Sequence, residues 1–113
     1  MNGCLFCKII NGEIPSAKVY EDENVYAFRD INPMAPVHVL VVPRTHAEGL
    51  DDIDRLTDAQ LAACLRACAR IAAQEGLGNG FRVVSNCGGD ACQSVRHLHF
   101  HVLGGKKMTE SMA

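Results

Sequence analysis

The chain has 113 residues, and at roughly 100–200 residues per domain this is one domain, residues 1–113, with no room for a second core. Apolar residues make up 48% of it, enough for a core without disulfide staples, while eleven Lys and Arg against thirteen Asp and Glu leave a formal charge of −2. No excess basic charge is present to neutralise a phosphate backbone, so nucleic acid is not expected as a partner. The N-terminal residues show no basic leader or apolar export segment, no apolar run approaches the ~18 residues of a membrane span, and the six cysteines fall below the ~8–10% of a secreted disulfide scaffold. These features predict a cytoplasmic protein with no membrane partner, its cysteines reduced or bound to metal.

Leu5, Phe6, Ile9 and Ile10 recur at helical spacing before Asn11-Gly12 and predict a short N-terminal helix. Residues 17–20 and 25–29 flank a polar turn and predict a hairpin. Residues 37–43 are almost wholly apolar, as in a central strand covered on both faces, with His38 as the one polar intruder in need of a partner. Thr57 and Gln60 have the spacing of a capping box ahead of Leu61, Cys64, Leu65, Cys68, Ile71 and Ala72, which mark the apolar face of a long helix ending near Gly76. A strand is expected over 81–86, then a Gly-rich loop over 87–93, then a strand of period two over 97–103. The sum is an α+β fold, a five-stranded antiparallel sheet with one long helix and a short N-terminal one.

Alternation places His97, His99 and His101 on one face of the last strand. Thr, Lys or Glu would serve as well in a merely polar surface, so three histidines point to chemistry. One metal held by all three is disfavoured, because at ~3.3 Å per residue His97 and His101 stand roughly 13 Å apart. Cys4-x-x-Cys7 with two histidines would complete a tetrahedral Cys2His2 zinc site; plain buried thiols and a redox pair are the alternatives. Cys64 and Cys68 lie on the apolar helical face and are assigned to the core, and Cys87 and Cys92 have no assigned role. The Gly-rich loop offers backbone N–H groups as an anion nest and Ser94 adds a hydroxyl, so a phosphate-bearing substrate fits this place in the chain.

The run His97-Leu98-His99-Phe100-His101-Val102-Leu103 resembles the signature of the histidine-triad family of nucleotide hydrolases and transferases. Residues 5–15, 28–33 and 38–46, with Asn86, Gln93-Ser94 and Gly104-Gly105, resemble the family's other blocks in order. The similarity is greatest to the Hint branch, which implies a homodimer whose two sheets join as one of ten strands. It also implies hydrolysis of the P–N bond of purine nucleoside 5′-phosphoramidates, such as AMP-amines and adenylated lysine. On that resemblance His99 is the nucleophile, and His101, His38 and Ser94 act with it. Phe6, Ile9, Ile31 and Leu40 line the base pocket, Asp30 binds the ribose hydroxyls, and Asn86, Gln93, Ser94, His99 and His101 complete the nucleotide site for AMP, GMP or their phosphoramidates. Family members with the CxxC pair imply a structural zinc on Cys4, Cys7, His46 and His97, and no catalytic metal or organic cofactor is expected. A dinucleoside polyphosphate hydrolase, or a zinc-stabilised nucleotide-binding interaction module with incidental turnover, are the alternatives. Cys92 stands where the family has Gly, and the sequence has no Trp, a residue that in many relatives reaches the partner subunit's site.

Overall fold

A computed structural model of the chain describes residues 3–113. The elements run α1 (Leu5–Ile10), β1 (Lys18–Glu21), β2 (Val25–Arg29), β3 (Val37–Pro43), α2 (Asp58–Gln74), β4 (Phe81–Val84) and β5 (Phe100–Gly104). Two 3-10 turns, Leu50–Arg55 and Gly89–Ala91, were not legible in the sequence. The five strands form one antiparallel sheet in the order β1-β2-β3-β5-β4, with β3 at its centre as its apolar run predicts.

Strand alternation sorts the side chains into two layers. Val25, Ala27, Val39, Val41, Phe100 and Val102 face α2 and meet Cys64, Cys68, Ile71 and Ala72 in the main core. Phe28, Leu40 and Val42 face the opposite side, where Phe6 and Ile9 of α1 cover them. Helix α2 begins as its sequence predicts: Thr57 Oγ1 accepts from Gln60 N–H while Gln60 Oε1 accepts from Thr57 N–H. It ends on Gly76 at φ +74, where Leu77 N–H bonds to the Ala72 carbonyl and Gly76 N–H to that of Ala73. Leu65 departs from the expected apolar face and is 55% exposed. Among the described residues no helix is long and apolar enough to cross a membrane.

Two strand ends differ from the sequence expectation. β5 begins at Phe100 instead of His97, because its partner β3 stops at Pro43, which has no N–H to continue the ladder. Leu98 N–H turns to the Ala47 carbonyl at 2.7 Å, so His97, Leu98 and His99 run as irregular chain. β4 stops at Val84 instead of Asn86, and the Ser85 hydroxyl, not its backbone, bonds to the His99 carbonyl at 2.8 Å.

Candidate active site and metal centre

The rings of His97 and His99 both lie against Phe6 and that of His101 adjoins His99, and hydrogen bonds fix how each ring is used. The His97 carbonyl accepts from His99 Nδ1–H at 2.7 Å, which leaves the lone pair of the buried His99 on Nε2. His38 Nδ1 accepts the Met34 N–H at 3.0 Å, so neutral His38 carries its proton on Nε2 and donates it to His101 Nδ1 at 2.8 Å. His101 is thereby left with Nε2–H, a buried donor with no partner among the described residues. The His99 and His101 rings lie 5.1 Å apart, so an acceptor-free donor and an open lone pair sit side by side. Burial holds the pKa of both rings down, that of His101 to about 4.

Asp30, His38 and His101 also bring donor atoms together as a metal site would. The Met34 N–H argues against that use, because a metal on His38 Nε2 requires a proton on Nδ1, where Met34 already donates. The group is a hydrogen-bonded relay. Asp30 is tied by Oδ1 to Asn32 N–H at 2.8 Å, with Oδ2 3.4 Å from His38 Nε2.

Cys4, Cys7, His46 and His97 converge on one point. The Nδ1 atoms of His46 and His97 lie 3.2 Å apart, and sulfur-to-nitrogen separations are 3.3 Å from Cys4 to His97, 3.5 Å from Cys7 to His97 and 3.5 Å from Cys7 to His46. Bonds of ~2.0–2.3 Å in a tetrahedron give edges of about 3.3–3.8 Å, so the spacing fits a four-coordinate ion. The tautomer fits too, since His97 donates Nε2–H to the Pro43 carbonyl at 2.8 Å and turns the Nδ1 lone pair to the thiols. Burial lowers the pKa of His97 to about 4 and also lowers that of His46, keeping both neutral, as ligands must be. Burial and Cys4 push the Cys7 thiol up to about 11, so a cation is what would hold it as thiolate. The residues present fit a metal ion.

Phe6, Ile9 and Leu40 gather in an apolar cluster beside these rings, and Phe6 lies edge-on to His99 at 5.1 Å. The cluster includes Phe28, which the sequence reading missed although it alternates with Ala27 in the right sense; its ring meets Phe6 at 5.4 Å. Ile31 stands apart, 92% exposed on the loop before β3. Ser94 is exposed and Asn86 half-buried, both at the ends of the Gly-rich loop. Gln93 is fully used in shaping that loop. Its Oε1 accepts from Gly88 N–H and Arg96, and its Nε2 donates to the carbonyls of Glu48 and Val95, so its contribution to any phosphate site is indirect. Cys92 adopts φ 59, in the left-handed region that favours glycine.

The class these observations define is a small α+β protein in which one antiparallel sheet carries a group of buried histidines beside a Cys2His2 cluster that could hold a metal ion. The HIT domain model matches residues 11–108, and the chain belongs to the histidine-triad family. It is 49% identical over 107 residues to a 14 kDa zinc-binding protein of Zea mays, covering 92% of this chain and 83% of that one. Identity to a purine nucleoside phosphoramidase of Escherichia coli is 39% over 110 residues, covering 96% and 92%. Among solved structures, a HIT family hydrolase from Clostridium thermocellum superposes with TM-score 0.92 at 40% identity over 100% of this chain and 99% of that one.

Proposed function

We propose that this protein is a hydrolase that cleaves the P–N bond of purine nucleoside 5′-phosphoramidates through a nucleotidyl group carried on His99. The observation that carries the reading is the ring assignment: His99 Nδ1–H is held by the His97 carbonyl, so Nε2 is the free nucleophile. Nε2 attacks the α-phosphorus, the P–N bond breaks, the amine departs, and water then releases the nucleotide. The unpartnered His101 Nε2–H hydrogen-bonds a phosphate oxygen or the departing nitrogen, with His38 Nε2–H fixing its tautomer. Ser94 and loop N–H groups add donors to the phosphate, Asp30 takes the ribose, and Phe6, Ile9, Phe28 and Leu40 take the base.

We assign zinc to Cys4, Cys7, His46 and His97 in a structural role, because four protein ligands leave no open position for substrate. The relatives named as a zinc-binding protein and as a purine nucleoside phosphoramidase support both parts of the reading. The natural assembly in this reading is a homodimer.

His99→Ala tests the chemistry. The variant should keep AMP binding and lose turnover by roughly three orders of magnitude or more, since it removes the covalent route and spares the base and ribose contacts. Rapid quench of the wild type should trap an acid-labile nucleotide on His99. The assay runs adenosine phosphoramidate, lysyl-adenylate, diadenosine polyphosphate and adenylyl sulfate side by side, the last because a relative in Arabidopsis thaliana is named an adenylylsulfatase. Wild-type turnover by His99→Ala would overturn the mechanism.

A further inference from the structure

Helix α1 has six residues, well short of the ~12–15 at which a helix is even marginally stable alone. Both ends of its first turn are thiols. Cys4 is the N-cap and its sulfur accepts the Cys7 N–H at 3.2 Å, so the two residues that would hold the ion also start the helix. Between them stands Phe6, whose ring lies edge-on to three others: His97 at 6.0 Å, His99 at 5.1 Å and Phe28 at 5.4 Å. One side chain therefore touches a metal ligand, the nucleophile and the far wall of the base pocket.

The main-chain and loop bonds at the phosphate end are made by residues outside α1. His97 is held by its Nε2–H on the Pro43 carbonyl and by Leu98 N–H on the Ala47 carbonyl, and the loop is closed by Gln93 through Gly88 and Glu48. None of these bonds involves residues 4–10. Phe6 and Ile9 are tied to the two thiols through α1, whereas these loop and main-chain bonds are not.

We propose that the Cys4/Cys7 knuckle makes recognition of the nucleotide base conditional on metal: with the ion held, α1 carries Phe6 and Ile9 into the base wall, and without it the protein still binds phosphate but no longer grips the base. This rests on the zinc and nucleotide assignments above. Linkage makes the effect reciprocal, so a base-bearing ligand must tighten the metal by the factor by which the metal tightens the ligand.

The test measures AMP and ribose 5-phosphate binding by calorimetry on zinc-loaded and chelator-stripped protein, with far-UV circular dichroism on both forms. Stripping should weaken AMP on the order of tenfold, change ribose 5-phosphate by less than about twofold, and be reversed by zinc. Saturating AMP should raise zinc affinity by the same factor in chelator competition, and ribose 5-phosphate should not. The double variant Phe6→Ala, Ile9→Ala should retain zinc and bind AMP with an affinity that stripping no longer changes. Equal weakening of both ligands, loss of the whole fold on stripping, or coupling that survives in the double variant would overturn the proposal. AMP binding that is unchanged by stripping defeats the coupling alone, whereas no AMP binding by either form defeats the nucleotide reading with it.

Discussion

His38, His97 and His99 each commit one ring nitrogen to the main chain, to the Met34 N–H, the Pro43 carbonyl and the His97 carbonyl. A neutral imidazole with one nitrogen so used has a single tautomer left, and backbone is harder to lose by mutation than a side-chain partner. His101 is the exception, half-buried, positioned by another histidine and left with a buried, unused Nε2–H donor among the described residues. Its pKa is depressed from 6.5 to about 4, first by burial and then by the neighbouring His99 and His38. The unfolded chain therefore takes up this proton first. The stability His101 contributes is whole above about pH 6.5 and is lost as pH falls toward 4. Denaturant titrations at pH 7 and pH 4.5 should show a smaller decline for His101→Gln than for the wild type. An identical decline would mean that His101 titrates as it does in the unfolded chain.

At the scale of elements, β5 meets the turn that follows α2 through a close approach at Gly104. A Cβ there would lie 2.6 Å from Leu77 Cδ1 and 2.8 Å from Cδ2, and Leu77 is the buried residue whose N–H closes the end of α2. Gly104→Ala should cost about 1–3 kcal/mol by overpacking. Leu77→Ala alone should cost more by leaving a cavity, and the double variant should cost less than the two together, because each relieves the other. Urea denaturation of the four proteins reads this directly; strict additivity would show that the two residues do not compete for the same space. The same elements show what the sequence made legible. Helix α2 was readable because its cap, its period and its terminating Gly76 are all local. The start of β5 was not, because it is decided by Pro43 in a strand more than fifty residues earlier. The His triad and the CxxC pair were visible as residue types, but which ring nitrogen each histidine offers depends on the Met34 N–H and the Pro43 and His97 carbonyls, hydrogen bonds that the pattern of residue types does not show. Phe28 was missed for a related reason, since only the position of α1 shows which face of β2 meets the site.

The sheet as a whole has two edges, and they are unlike. At β1 the side chains of Lys18 and Glu21 pair with each other at 2.7 Å, the kind of charged edge that discourages further strand pairing. At β4 the alternating Phe81 and Val83 are 44% and 38% exposed, and among the described residues the strand pairs only with β5. In the homodimer proposed above a second copy would cover this apolar edge, since antiparallel pairing of β4 with its own mate is self-complementary about a two-fold axis. Two five-stranded sheets would then continue as one of ten strands. Light scattering at micromolar concentration should return twice the chain mass, and thermal unfolding should shift upward with protein concentration, as it does when folding and association are linked. Val83→Lys puts a charge at the centre of that edge, on an exposed side chain opposite Val102, so it should give monomers of lower stability with the far-UV spectrum retained. A monomeric mass for the wild type, or an unchanged dimer in Val83→Lys, would remove β4 as the joining strand, and the exposure of Phe81 would then need another cover.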